Sequence, residues 1–321
     1  MKKFYKPIIL VSKCLGFSPC RYNGQIENNT FVDKLKDYVQ YITVCPESDS
    51  GLPTPRKSIR IVNINDKLEL VQNKTGIILT DDIVGFSEKF LSNINEIDGF
   101  ILKNKSPCCG IRDSKIYATI DKGCAIQKSS GFFAKDVIKK YPYLPLEDEG
   151  RLTNFKIREH FLTRIFLFSN FRNIKKIKIF DELKEFHLNN TLLFISYSQK
   201  YSKLLDSLIY NYENSDINKL FDEYENILLK LFERSPRYTS NINVLSKAIN
   251  HFGDKISSEE LNFIWNTIDK YKNGYVPFSV PIHIIKGYVI RFHLENLLNQ
   301  SFFMPYPEDL VALNDSGKLI H

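Results

Sequence analysis

Apolar residues fall in short continuous runs through the first half of the chain and at helical spacing through the second. Ile8-Ile9-Leu10-Val11, Tyr41-Ile42-Thr43-Val44 and Phe100-Ile101-Leu102 read as buried strands. Between them, Phe31, Leu35 and Val39 mark a helix near Thr30–Val39. Ser58–Ile64 and Lys67–Val71 alternate apolar and polar residues across Asn65-Asp66, the pattern of a hairpin. Thr80-Asp81-Asp82 opens a helix running to Ile94, with carboxylates in its first turn, and a further helix covers Gly131–Tyr141. Strands alternating with helices predict an open α/β domain with a mostly parallel sheet. The Pro- and acid-rich stretch Tyr141–Gly150 breaks this pattern and sets a domain boundary, 1–147 against 148–321. Beyond it the spacing predicts an all-α helical domain. Its helices fall at Asn154–Asn173, Ile179–Tyr212, Ile217–Phe232, Thr239–Phe252, Ser257–Tyr271 and Pro281–Phe292. Ser257 and Glu260 form a capping-box pattern.

Charge adds a mild asymmetry. The first 147 residues carry 22 Lys and Arg against 16 Asp and Glu, the remainder 22 against 21. A basic first half suits an anionic partner such as RNA, though proteins without one share the feature. The start, Met1-Lys2-Lys3 before Ile8–Val11, faintly resembles a secretion leader. Its apolar run is four residues, broken by Lys13, so the chain is expected to be cytoplasmic. No stretch approaches the ~20 apolar residues of a membrane span, and no membrane partner is expected.

In that compartment six cysteines point to thiol, metal or redox chemistry. Cys14, Cys45 and Cys109 each follow a strand. If the strands are parallel neighbours, their carboxyl ends share the crevice where such sheets bind ligands. Three thiolates there, with Glu47 beside Cys45 and Ser106 beside Cys109, suit a soft metal and leave a fourth coordination position for chemistry. Cys20, Cys108 and Cys124 read as small buried hydrophobes. Arg21, Arg56 and Lys103 lie beside the cysteine motifs and suit either a phosphate or substrate base, or structural ion pairs. His187 reads as a packed or surface histidine. Phe161, Phe166, Phe168, Phe171 and Trp265 read as core. Arg172, Lys175, Lys176 and Lys178 form a solvated basic face able to track an RNA backbone.

Several strings carry a family resemblance. Val11-Ser12-Lys13-Cys14-Leu15-Gly16, Cys20-Arg21-Tyr22-Asn23-Gly24, Val44-Cys45-Pro46-Glu47, Gly51-Leu52-Pro53-Thr54-Pro55-Arg56 and Ile101 through Gly110 resemble the DUF523 family, which includes the thiouracil desulfidases. Arg151-Leu152-Thr153-Asn154, Phe186-His187, Asn243-Val244-Leu245, Tyr271 through Pro277 and Pro305-Tyr306-Pro307-Glu308 resemble the DUF1722 (YbgA-like) domain. The fusion resembles two-domain desulfidases that act on 4-thiouridine in tRNA. The resemblance implies a [4Fe-4S] cluster held by Cys14, Cys45 and Cys109, with its fourth iron open to the thiocarbonyl sulfur. It also implies Glu47 and Ser106 as acid/base and hydrogen-bonding groups. Where the family usually has Ser, this chain has Cys108, a competitor to Cys109 for the iron. Thr191 and Tyr197 replace basic or His positions of the helical domain.

The expected function is therefore removal of sulfur from a thiolated pyrimidine, within tRNA or as free thiouracil or 4-thiouridine, giving the oxo-pyrimidine and sulfide. The rival is a non-catalytic RNA- or protein-binding module stabilised by zinc or a cluster. No DNA partner is expected, and the residues set no oligomeric state.

Overall fold

The structure, a computed structural model, describes residues 4–120, 123–213 and 216–311. The leader-like start at Met1–Lys3 and the end of the helical segment, residues 312–321, lie outside the described residues. Two compact units divide within one long helix, residues 5–169 forming the first and 170–308 the bulk of the second.

The first unit is built on a parallel sheet of β1 (Ile8–Ser12), β2 (Gln40–Val44), β5 (Gly99–Leu102) and β8 (Leu146–Asp148), in the order β2-β1-β5-β8. Helices α1 (Thr30–Leu35), α3 (Thr80–Ser92) and α4 (Phe132–Lys140) supply crossovers, and α2 (Pro46–Asp49) is a single turn. A second sheet, β4-β3-β6-β7, is formed by β3 (Ile59–Ile64), β4 (Lys67–Gln72), β6 (Ser114–Tyr117) and β7 (Ala125–Ser129). The β3–β4 hairpin turns at Asn65 and Asp66, with φ of 50° and 62°. Asx residues tolerate that left-handed pair, the type I′ geometry matching strand twist.

The sheets share one core. Leu10, Val44, Phe100 and Leu102 from the first meet Ile59, Ile61, Leu70 and Ile116 from the second, with Phe133 of α4 between. The opposite face of the parallel sheet, Ile9, Val11 and Ile101, is also fully buried. There α5 (Phe155–Ile177) comes close. A Cβ at Gly99 would sit 2.9 Å from the Ile165 side chain, so the position requires glycine.

Strands β6, β7 and β8 have no counterpart in the sequence reading. Each is three to five residues long, too short to establish a period of two. β8 falls inside Tyr141–Gly150, the stretch expected to break the pattern, and pairs with β5.

The second unit is helical: α6 (Phe180–Tyr197), α7 (Gln199–Tyr210), α8 (Ile217–Leu231), α9 (Tyr238–Ile249), α10 (Ser258–Lys272), α11 (Ser279–Arg291) and α12 (Glu295–Leu298), with the end of α5. The single run expected over Ile179–Tyr212 is two helices. Ser198 adopts extended backbone (φ −160°) and caps α7 through its hydroxyl, which competes with helix continuation. The Ser257/Glu260 capping box forms. Phe171, Phe186, Phe194, Phe221, Tyr224 and Phe232 make an aromatic core, Phe171 stacking on Tyr224 at 5.5 Å.

His187 is buried in that core, its Nδ1 3.1 Å from the Tyr224 hydroxyl and its Nε2 2.9 Å from Asp206. Trp265, expected in the core, is 38% exposed, because the buried stripe of α10 runs through Ile264, Thr267 and Ile268. Within the expected basic face, Lys175 is paired with Asp222 and Glu225, and Lys178 donates to Asn218. Lys175 is thus partly neutralised by α8. No helix among the described residues is long and apolar enough to cross a membrane.

Candidate metal centre

Parallel register brings the cysteine-bearing loops to one edge. Ser12, the last residue of β1, pairs with Val44, the last of β2, and β5 lies on the other side of β1. Cys14 therefore leaves the sheet beside Cys45, and the turn carrying Cys109 follows the neighbouring strand.

After β1 the chain reverses at Gly16, with φ of +87°, and the Glu27 N–H returns to the Cys14 carbonyl at 2.9 Å. This loop carries Cys20 back, so that its thiol interacts with those of both Cys14 and Cys45. The Cys45 thiol in turn donates to the Cys20 carbonyl, at 3.9 Å. Cys45 stands at the N-cap position of α2 without a side-chain capping bond, and Pro46 suits the first helical position. Its N–H is fixed by Asp49 at 2.9 Å, and Asp49 also pairs with Lys13.

Glu47 stands on the first turn of α2 and is gripped by Arg56, with Nε to Oε2 at 2.8 Å. The Arg56 guanidinium also donates to the Cys20 carbonyl at 3.1 Å. Arg56 thus ties the carboxylate to the cysteine loop.

Cys109 lies in the Ser106–Gly110 turn. The Ser106 hydroxyl accepts the N–H groups of Cys108 at 3.2 Å and Cys109 at 3.0 Å. The start of α4 clamps the turn from outside, Ala134 N–H donating to the Cys108 carbonyl at 3.0 Å. A Cβ on Gly131 would meet the Cys108 backbone at 2.5 Å, and one on Gly110 the Ser106 carbonyl at 2.8 Å. Only glycine permits these approaches.

Burial pushes both the Cys108 and the Cys109 thiols up; the negative charge of Glu47 adds to the rise at each, and the Ser12 and Ser106 hydroxyls oppose it at Cys109. Cys45 is raised by its bond to Cys20 and by burial. Cys20 is pushed up to about 11, first by its bond to Cys14. Without a cation these thiols hold their protons, and a soft metal would displace them.

Arg21 and Lys103 also reach this edge, within an ionic chain. Arg21 pairs with Glu27 at 2.7 Å, Lys103 with Glu27 at 3.1 Å, and Lys103 also with the buried Glu149. Cys20 and Cys108 are buried as expected, but Cys124 is exposed, because it precedes the solvent-facing edge strand β7. The sequence reading missed the placement of Cys20 beside Cys14 and Cys45.

Residues 9–149, which hold all six cysteines, match the family described as 2-thiouracil desulfurase. The YbbK protein of Bacillus subtilis is 34% identical over 111 residues, covering 32% of this chain and 73% of YbbK. The chain belongs to the 2-thiouracil desulfurase family. The family match takes in the whole site, from the end of β1 to Glu149, the residue after β8. Residues 192–307, within the helical unit, match the DUF1722 family. The YbgA protein of Escherichia coli is 25% identical over 160 residues, covering 49% of this chain and 94% of YbgA. A solved structure of TudS, a [4Fe-4S]-dependent thiouracil desulfidase, is 26% identical, with a TM-score of 0.38, covering 46% of this chain and 93% of that one.

The donor set of the desulfurase-family unit fits an iron–sulfur group. Its soft thiols follow three neighbouring strands, and thiolates are the ligands that hold iron–sulfur clusters. No three His, Cys, Asp or Glu side chains among the described residues gather closely enough to enclose a single ion.

Proposed function

We propose that this chain is an iron–sulfur-dependent desulfidase that removes sulfur from thiolated pyrimidines, with 4-thiouridine in tRNA as the preferred substrate. The observation that carries the reading is the placement of Cys14, Cys45 and Cys109 at the carboxyl edge of the parallel strands β2, β1 and β5. These three residues would hold a [4Fe-4S] cluster. Such a cluster, with one iron free of protein thiolate, supplies a soft Lewis acid for a thione sulfur. A thiouracil ring is small enough to be held at this edge by the first unit alone.

The remaining chemistry belongs to side chains. Glu47, held by Arg56, is the carboxylate positioned to take a proton from water attacking the ring carbon, or to move one on the ring nitrogen. Ser106 orders the turn that carries Cys109. Arg21 and Lys103, held at this edge by Glu27 and Glu149, are the groups that would exchange those carboxylates for a nucleotide phosphate. The helical unit supplies the wider surface a folded RNA needs.

The test is sulfide release by the anaerobically loaded protein from thiouracil, 4-thiouridine and thiolated tRNA. Brown protein that releases sulfide fastest from tRNA supports the reading. A colourless, zinc-containing protein without sulfide release supports the non-catalytic module instead.

A further inference from the structure

Tyr22 sits at the tip of a tight turn in the loop that follows β1. The Gly24 N–H returns to the Arg21 carbonyl at 2.8 Å, so Tyr22 and Asn23 are the two central residues. Gly24 closes the turn with a φ of +74°. Tyr22 is 46% exposed. Among the described residues, no ring stacks on it and no hydrogen bond holds its hydroxyl.

That turn is tied to all three cysteine-bearing loops. Within its own loop, the Glu27 N–H returns to the Cys14 carbonyl at 2.9 Å. On the β2 side, the Tyr22 carbonyl accepts the Arg56 N–H at 2.7 Å. The Arg56 side chain holds Glu47 and the Cys20 carbonyl, and that carbonyl also takes the Cys45 thiol at 3.9 Å. On the β5 side, Arg21 pairs with Glu27 at 2.7 Å, and Glu27 reaches Lys103 at 3.1 Å. Anchors to three loops put the turn at the rim of the crevice that those loops enclose, and they fix its backbone. A tyrosine on a fixed backbone has two side-chain torsions to order on binding, so it offers a large flat surface at little entropic cost.

We propose that the Tyr22 ring stacks on the face of the substrate pyrimidine and sets how tightly that ring is held. This rests on the reading of the crevice as a thiopyrimidine site. A thiopyrimidine presents its sulfur, nitrogens and oxygen in the plane of the ring, where metal and hydrogen-bonding groups meet them. Its two faces have only π surface to offer, and an aromatic side chain is the group that covers such a face. Stacking of this kind is indifferent to what the ring carries at its edge. Tyr22 therefore serves the free base and the nucleoside alike, and its contribution falls on binding rather than on the chemical step.

The deciding comparison is Tyr22→Phe against Tyr22→Leu, one keeping the aromatic face and the other only apolar bulk. Both are made in the full chain and loaded anaerobically, with Tyr22→Ala as a third variant. The readouts are KM and kcat for sulfide release from 4-thiouracil and 4-thiouridine, equilibrium dialysis of radiolabelled uracil, and iron content. Tyr22→Phe should keep KM and uracil binding near wild type. Tyr22→Leu and Tyr22→Ala should raise KM for both substrates and weaken uracil binding by roughly 5- to 100-fold, the range for losing one stacked base. Iron content and kcat should stay within a few-fold. Equal KM values and uracil affinities for Tyr22→Phe and Tyr22→Leu would overturn the stacking role alone. So would a Tyr22→Leu protein that loses kcat or iron with KM unchanged, since the turn would then be structural. A wild type that binds uracil through Tyr22 yet releases no sulfide would overturn the desulfidase reading and leave the stacking role standing. A wild type that binds no pyrimidine at all would overturn both. If Tyr22→Ala fails to fold, the Phe/Leu pair still decides.

Discussion

Arg56 grips Glu47 through its guanidinium, and the two side chains are only 2% and 13% exposed. The same guanidinium binds the Cys20 carbonyl, so one residue fixes both the carboxylate and the loop between Cys14 and Cys45. Removing it strands a buried carboxylate. Arg56→Ala should cost about 3–5 kcal/mol of stability, the range for breaking a buried pair from one side. A denaturant titration measures this, and Arg56→Lys should recover only part of it, because an ammonium cannot make the forked contact.

Glu47→Gln is the counterpart experiment on chemistry. The amide keeps the shape of the side chain, so the cluster's absorbance should persist while sulfide release falls by roughly 10²–10⁴-fold, the usual cost of losing a general acid or base. Turnover like the wild type's, with intact absorbance, would remove Glu47 from the mechanism.

Ligand identity separates the cysteines. Cys14→Ser, Cys45→Ser and Cys109→Ser should each lose the cluster, because three thiolates leave none spare. Cys20→Ser, Cys108→Ser and Cys124→Ser should keep iron content and colour. A colourless Cys108→Ser beside a fully loaded Cys109→Ser would exchange the two assignments.

The Cys109 turn also depends on two glycines. At Gly131 the added methyl meets the Cys108 carbonyl group at 2.5 Å and the Pro107 carbonyl oxygen at 2.7 Å, and backbone cannot swing aside. Gly131→Ala should therefore cost about 1–3 kcal/mol, read as a lower melting temperature, with slower cluster loading in the folded fraction.

Acid should weaken the fold through His187, which is buried, and His160, which is partly buried. Burial holds His160 down to about 3, and it also lowers His187 despite the opposing pull of Asp206. Both are neutral when folded, so the unfolded chain binds protons first as pH falls below an ordinary histidine pKa of roughly 6.5. Stability from these sites is complete above that value and declines towards pH 3. Urea midpoints at pH 7.5 and 5 measure the slope, and His160→Gln should flatten it.

Salt distinguishes the substrates. Sulfide release from thiolated tRNA should fall more steeply with added salt than release from the nucleoside, because only the polyanion sheds condensed counterions on binding. Equal salt sensitivity would argue that tRNA is not the substrate.

The sequence by itself determined the local periods and the chemistry-bearing types. Ile8–Val11 and Phe100–Leu102 are strands because continuous apolar runs of that length suit a sheet covered on both faces, whereas Tyr41–Val44, also expected to be buried, is the half-exposed edge strand because β1 flanks it on one side only. Asn65-Asp66 fixed a hairpin turn, Ser257 with Glu260 fixed a helix start, and a cysteine after each of three strands marked the crevice. Tertiary structure decided what those patterns could not encode. β8 is a strand only because β5 offers an open edge, since Leu146-Glu147-Asp148 has no preference of its own. Trp265 faces outward because the rotation of α10 is set by its neighbours. The burial of Cys108 and Cys109, in a turn clamped by the start of α4, arises from segments that are distant in the chain. Which distant segment packs over a turn is not encoded in the turn's own residues.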